Sequence, residues 1–217
     1  MPPQTQNMPV IAGELSGDLA PLLEQLGSPS GLAELAGAAQ TADVPIATLP
    51  DLQKFLRQYR DTILQPLELP AIYRAYGHAR RNEVRELVAF DQELAGEPML
   101  RSLTSASRLV GQRQLLRLRP LRDDRTVQRY LAAVDSGSAQ GWHTLVYGLT
   151  LAVYSLPLRQ GLLGYARQTT HSFIQSAGRK LALSPTAEQT LFEEIFSSIP
   201  ATVETLLAPA VGVPQLV

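Results

Sequence analysis

Apolar residues recur along most of the chain at intervals of three and four positions, the spacing that places them on one face of an α-helix. The clearest stripes are Leu19, Leu22, Leu23 and Leu26, then Leu52, Phe55, Leu56, Tyr59 and Ile63, and then Leu191, Phe192, Ile195, Phe196 and Ile199. Alternating apolar and polar residues flanked by hairpin turns, the pattern of strands, do not occur. The sequence therefore predicts an all-α protein, a single helical bundle domain of about eight to ten helices.

Capping residues and prolines predict where the helices begin and end. Thr48 can cap a helix, with Asp51 three residues later completing a capping box. Pro70 suits the first turn of another helix, and Gly77 is a candidate break within it. Further boundaries are expected at Gly96-Glu97-Pro98, at Asp123 or Asp124, at Ser136-Gly137-Ser138, at Pro157, at Ser184-Pro185 and at Pro200.

The segment 142–154 is apolar on nearly every side, which indicates a helix in the centre of the bundle. The apolar stretch from Leu145 to Leu158 is too short to span a bilayer. We expect a flexible N-terminal tail over residues 1–10, one helical domain over residues 11–207 and a flexible C-terminal tail over residues 208–217.

Composition narrows the class of protein. The chain has no cysteine, which excludes disulfides, thiolate metal sites and a cysteine nucleophile. Its 19 basic and 20 acidic residues nearly cancel, so no overall field favours nucleic acid or an anionic membrane. The first residues lack the basic start and apolar run of a signal peptide. We expect a cytoplasmic protein that binds neither nucleic acid nor membrane.

The sequence contains no recognisable catalytic signature, neither a phosphate-binding loop nor the His-Glu-x-x-His or Gly-x-Ser-x-Gly motifs. His78, His143 and His171 lie far apart, and none has a second ligand at helical metal-site spacing. The adjacent acidic pairs point about 100° apart on a helix and do not converge on one atom. We expect no catalytic residue, no metal ligand and no cofactor, although a buried-cofactor enzyme remains an alternative.

Arginine is concentrated in one stretch of 29 residues, opposed there only by Asp123 and Asp124. Its members are Arg101, Arg108, Arg113, Arg117, Arg119, Arg122, Arg125 and Arg129. Arginine suits bidentate pairing with carboxylates at interfaces. The stretch is either a solvated helix with ion pairs to the acidic residues of 83–97, or a docking face for an acidic protein partner.

Small residues line a second long helix that is predicted to follow Pro157. They are Gly161, Gly164, Ser172, Ser176 and Ala177. Glycine inside a helix costs about 1 kcal/mol relative to alanine, so it is retained where another helix approaches closely. The approaching helix belongs either to the same core or to a second subunit.

Several motifs resemble those of the urease accessory protein F (UreF) family. The segment His143–Gly148 is similar to the family's His-x-x-Val-Phe/Tyr-Gly, and it is followed by Leu156-Pro157 and Gly164-Tyr165. A serine-rich turn with Arg179 and the stretch 182–189, which ends in Gln189, continue the resemblance. Upstream, residues 107–116 match the family's serine, glycine, arginine and Leu-Leu run, and Leu69-Pro70 with Tyr73 fits the preceding helix.

The resemblance covers roughly residues 50–207 and departs from the family pattern in the N-terminal region. The family motif Pro-x-Gly-x-Phe/Tyr-x-His-Ser-x-Gly-Leu-Glu has its nearest counterpart in residues 29–35. There Glu34-Leu35 stand where His-Ser is usual. The sequence alone therefore leaves open whether this chain retains the activity attached to that motif.

The resemblance implies a UreF-like fold and a urease maturation factor without catalysis of its own. Family members form homodimers and join a UreD/UreH-type scaffold and a UreG-type GTPase, and the complex delivers nickel to apo-urease. In that family the C-terminal end is implicated in gripping the second scaffold. The candidate partner-binding residues here are Arg108, Arg113, Arg117, His143, Tyr165, Arg179 and Gln189. The alternative is a divergent helical adaptor for a different protein partner.

Overall fold

Every element in the described part of the chain, residues 46–208 of a computed structural model, is helical. No strand occurs within this range, which confirms the all-α class. The elements are α1 (Leu49–Tyr59), a π-helical segment (Arg60–Glu68), α2 (Leu69–Arg80), α3 (Val84–Ala95), a 3-10 helix (Pro98–Leu103), α4 (Thr104–Leu118), α5 (Arg125–Asp135), α6 (His143–Val153), α7 (Leu158–Leu181), α8 (Pro185–Phe196) and α9 (Ile199–Leu207).

Several of these helices continue into one another. α1, the π-helical segment and α2 follow without a break, the 3-10 helix leads directly into α4, and two residues separate α8 from α9. The described residues therefore form seven separate helical bodies, slightly fewer than the eight to ten expected. The helices predicted around Leu19–Leu26 and Leu32–Ala39, the predicted tail 1–10 and residues 209–217 lie outside the described residues.

The capping predictions hold where they can be compared with the structure. Thr48 and Asp51 form the expected capping box at α1, Asp124 accepts from Val127 N at the start of α5, and Ser184 caps α8. The expected break at Gly77 is wrong, because α2 continues to Arg80.

Pro66 lies inside the π-helical segment. Proline lacks an N–H and its ring crowds the carbonyl group four residues earlier, which disfavours a regular α-turn. The wider π-turn accommodates the ring without ending the helix, so α1 and α2 remain one continuous element.

Helix α6 is the centre of the bundle, as its sequence predicted. All ten residues from His143 to Ala152 are buried, and α2 and α4 are its principal neighbours. Gly148 permits this packing, because a Cβ atom there would lie 2.6 Å from Ile72 O of α2. The two backbones are therefore in direct contact.

The small residues of α7 are used for packing within the chain. Gly161, Gly164 and Ala177 are buried, and a Cβ atom on Gly161 would collide with the Leu151 side chain of α6. This geometry favours core packing over a subunit contact as the reason for these residues.

Candidate functional site

The first polar cluster is buried and centred on His143, the first residue of α6. The His143 side chain has only about 4 % of its surface exposed. Its Nδ1 lies 2.7 Å from Ser107 Oγ of α4, and its Nε2 lies 2.5 Å from Tyr165 OH of α7. One imidazole ring therefore connects three helices at the start of the central one.

Glu68, the last residue of the π-helical segment, extends this cluster. Only 3 % of Glu68 is exposed. Tyr59 OH donates a 2.6 Å hydrogen bond to Glu68 Oε2, and Tyr165 also hydrogen-bonds the carboxyl group. We call Tyr59, Glu68, Ser107, His143 and Tyr165 the buried polar cluster, since their side chains form one connected network.

A single arrangement of protons satisfies the whole network when Glu68 is ionised. Both tyrosine hydroxyls donate to Glu68, which accepts only. Tyr165 OH can then accept from His143 Nε2–H, and Ser107 Oγ donates to the unprotonated Nδ1. The backbone N–H of His143 in turn donates to Ser107 Oγ at 3.3 Å, so every polar atom in the chain of contacts has a partner.

Burial sets the ionisation of this cluster. Loss of hydration raises the pKa of Glu68 to about 7, while the hydrogen bonds from Tyr59 and Tyr165 act in the opposite direction. Burial also lowers the pKa of His143 to about 3. Glu68 Oε1 and His143 Nε2 are 3.9 Å apart, but a neutral imidazole makes no ion pair at that distance, so the contact is not a salt bridge.

The cluster has little room for a ligand. A cavity of about 10 Å³, lined in part by Glu68, Ser107 and His143, adjoins it, and this space corresponds to about one water molecule. Among the described residues no group of three or more His, Asp or Glu could hold a metal ion. The geometry is that of a structural anchor between helices.

Asp91 of α3 forms a second buried anchor at the entry to α6. Its carboxyl accepts hydrogen bonds from Tyr130 OH at 2.6 Å and from the backbone N–H groups of Gln140 and Gly141. The N–H of Trp142 lies at 3.4 Å. Because every neighbour donates, the acceptor-only carboxylate suits this position, and it fixes the loop that leads into α6.

All eight arginines of the stretch 101–129 are exposed. Arg119 pairs with Asp135 at 3.4 Å. Within the described residues Arg101, Arg108 and Arg117 make no ion pair. The acidic residues of 83–97 have other partners, since Glu83 binds Arg81 and His78, and Glu93 binds Arg74. Glu83 and Glu93 therefore do not form the ion pairs with the arginine stretch that the sequence left as an alternative.

The outward side of α4 combines charge with apolar surface. Leu109 and Leu116 are 44 % and 48 % exposed, and they lie two helical turns apart. Arg108, Arg113 and Arg117 flank them. We call these five residues the α4 surface. Long apolar side chains between arginines are typical of a surface that contacts another polypeptide.

A sequence model of the UreF family matches residues 46–195, which is more than two thirds of the 217 residues. The chain belongs to the UreF family. No curated protein shows a significant match to it. The matched region contains the buried polar cluster, Asp91 and the α4 surface, so all three belong to the UreF part of the chain.

Membership in the UreF family assigns the chain, in general terms, an accessory function in urease maturation. UreF is an accessory family and not a family of enzymes. None of the helices in the described residues is long and apolar enough to cross a bilayer. The N-terminal motif that departs from the family pattern lies outside both the matched range and the described residues.

The residues singled out by their UreF motifs occupy different environments. His143 and Tyr165 contact each other inside the buried polar cluster. Arg179 is exposed and donates to Gln175 O of its own helix. Gln189 is exposed and donates to Glu193 Oε1 at 2.7 Å. Two of these residues, His143 and Tyr165, are therefore buried and position helices. The other two, Arg179 and Gln189, are exposed where a partner can reach them.

Sequence reasoning missed Glu68 and Asp91, although the sequence contains a signal for each. Glu68 lies on the apolar stripe that runs from Leu64 to Ile72, and Asp91 lies between Leu87 and Leu94 on another. A carboxylate at a core position of a helical stripe requires hydrogen-bonding partners when buried. In this UreF chain the hydroxyls of Tyr59, Tyr130 and Tyr165 are among them.

Proposed function

We propose that this chain is a non-catalytic scaffold that recruits a UreG-type GTPase and a UreD/UreH-type second scaffold for nickel insertion into apo-urease. The observation that carries the proposal is the UreF match over residues 46–195. It is supported by the nature of the buried polar cluster, which connects helices and has space for about one water molecule.

The α4 surface is the proposed docking face for an acidic partner. Exposed charges contribute little individually, about 0 to 1 kcal/mol for a surface pair. A group of like charges acts mainly on the rate of encounter and on the choice of partner, and salt screens it. Leu109 and Leu116 add apolar area that such a contact can bury.

Two further parts of the proposal concern assembly. The chain forms a homodimer, as members of the family do, and its C-terminal residues 208–217 order on binding the second scaffold. These residues are apolar and uncharged and contain two prolines and a glycine. They suit a segment that folds on a partner better than a continuation of α9. Both processes take place in the cytoplasm.

The test is urease activation in a host that carries urease structural and accessory genes but lacks its own gene for the UreF protein. Supplying this chain should restore urease activity and raise the nickel content of the purified urease. Failure to restore either, with the other accessory proteins from the same source present and the chain soluble, would refute the maturation role.

The docking face is tested separately with the double variant Arg108→Glu/Arg117→Glu. These two arginines make no ion pair within the described residues, so the fold should survive. Association with the GTPase or second scaffold should slow, most strongly at low ionic strength. Arg85→Glu, at an exposed position of α3 outside the candidate residues, is the matched control and should leave the rate unchanged. Equal rates for the double variant and the unmodified chain at every salt concentration would refute the docking role.

The alternative function is a helical adaptor that uses the same surface for an unrelated partner. The divergent N-terminal motif is the observation that favours it. A genome that encodes this chain but no urease subunits would support the adaptor and exclude the maturation role in its simple form.

A further inference from the structure

Trp142, the residue before α6, is buried with one polar atom unpaired. Only 2 % of Trp142 is exposed, and within the described residues its indole Nε1 has no hydrogen-bond partner. An indole nitrogen donates and never accepts. Because a buried donor without an acceptor loses the hydrogen bond that it makes to water in the unfolded chain, this position requires an acceptor.

The cavity of about 10 Å³ that adjoins the buried polar cluster is also lined by Trp142. Its polar lining residues are Glu68, Ser107, Trp142, His143 and Thr144, and the rest of its wall is apolar. A buried water molecule needs a space of about this size and two to four polar partners. The cavity meets both requirements.

The wall of the cavity contains an acceptor with capacity to spare. Ser107 Oγ and His143 Nδ1 are already engaged with each other. The Glu68 carboxyl accepts from Tyr59 and Tyr165, whereas an ionised carboxylate has about four acceptor positions. Glu68 can therefore accept a further hydrogen bond from a molecule in the cavity.

These two groups define the chemistry of the occupant, which must accept from Trp142 Nε1–H and donate to Glu68. A metal cation or an ammonium ion cannot accept a hydrogen bond, and a halide ion cannot donate one. Water does both, and the volume excludes a larger molecule.

We propose that one water molecule occupies this cavity and bridges Trp142 Nε1–H to the Glu68 carboxyl group. We call it the bridging water. It accepts a hydrogen bond from the indole ring and donates one to the carboxylate, so that the only tryptophan of the chain becomes part of the buried polar network.

The bridging water joins the two buried anchors at the start of α6. The backbone N–H of Gly141 donates to Asp91 at 3.0 Å, which holds the loop immediately before Trp142. The indole ring continues from that loop, through the water, to Glu68. Asp91 and the buried polar cluster then fix the start of α6 as one hydrogen-bonded unit.

The experiment is NMR spectroscopy of the full-length chain with an isotopically labelled tryptophan ring. Because Trp142 is the only tryptophan, the spectrum contains one indole N–H signal. Magnetization transfer in the rotating frame should give a cross-peak between this proton and water. Its sign should be that of a bound water, which is opposite to the sign of proton exchange.

Two substitutions locate the water. Ala71→Val puts two further methyl groups into a wall residue of the cavity, so the cross-peak should fall several-fold. Ala79→Val is the matched control, because Ala79 is also a buried alanine of α2 but does not line this cavity, and the cross-peak should remain. Glu68→Met removes the acceptor and should also weaken the cross-peak several-fold.

Four results would overturn the proposal. Absence of the cross-peak in the unmodified chain would do so without any variant. An undiminished cross-peak in folded Ala71→Val would assign it to an exchanging hydroxyl group outside the cavity. An undiminished cross-peak in folded Glu68→Met would exclude the bridge. A shift of the indole signal when bromide replaces chloride, without a water cross-peak, would assign the site to an anion. Unchanged far-UV circular dichroism establishes that each variant is folded.

Discussion

Because the pKa of Glu68 is raised in the folded protein, we expect its contribution to stability to fall as the pH rises. Its pKa is raised from 4.5 to about 7 in the folded protein, mainly by burial. Between these two values the unfolded chain releases the proton while the folded chain keeps it. The contribution of Glu68 to the free energy of unfolding is therefore fully present below pH 4.5, falls as the pH rises and reaches its lower limit above pH 7.

The substitution Glu68→Gln removes this titration and preserves the shape of the side chain. The glutamine oxygen can accept from Tyr59 OH, and its amide can donate to Tyr165 OH, which then donates to His143 Nε2. Integrating the two pKa values predicts that the unmodified chain loses roughly 2 to 3 kcal/mol relative to the variant between pH 5 and pH 8.

The assay is urea denaturation followed by circular dichroism at several pH values between 5 and 8. His143, whose lowered pKa makes its contribution fall as the pH drops from 6.5 towards 3, is present in both proteins and largely cancels in the difference. Glu86→Gln, at an exposed position of α3, is the control. A constant difference between Glu68→Gln and the unmodified chain across this range would refute the reasoning.

Three substitutions test the packing around α6. Asp91→Ala leaves Tyr130 OH and two backbone N–H groups without their acceptor, so the free energy of unfolding should fall by about 3 kcal/mol or more in urea titrations. Gly148→Ala puts a methyl group 2.6 Å from Ile72 O, and the thermal midpoint should drop by several degrees, because the backbones must separate. Leu149→Asp buries an unpaired carboxylate at a fully buried position, which costs several kcal/mol, so the variant should be insoluble or unfolded. A variant that elutes normally in size-exclusion chromatography would contradict the central placement of α6.

Local sequence features were sufficient to predict most helix boundaries. The capping box at Thr48 and the caps at Asp124 and Ser184 depend on residues three positions apart. The burial of α6 follows from a segment that is apolar on every side. Such signals depend on neighbours along the chain, and these are fully contained in the sequence.

The buried polar cluster could not be predicted in the same way, because its members are far apart. Glu68 and Tyr165 are separated by 97 residues, and only the packing of α7 beside α2 and α6 brings them together. The π-helical segment around Pro66 was also missed, because a proline in a helical pattern predicts a break or a kink and does not by itself predict a π-turn. The exposure of the α4 arginines needed the packed structure as well, because the sequence left both alternatives open.

Co-purification is the most direct measurement of the proposed scaffold role. The tagged full-length chain is isolated at low ionic strength from its own source, and the retained proteins are identified by mass spectrometry. We expect a UreD/UreH-type scaffold and a UreG-type GTPase to be retained in amounts comparable to the chain. Both should be reduced with Arg108→Glu/Arg117→Glu but not with Arg85→Glu on α3. Recovery of the folded chain with neither protein, from cells that contain both, would contradict the account.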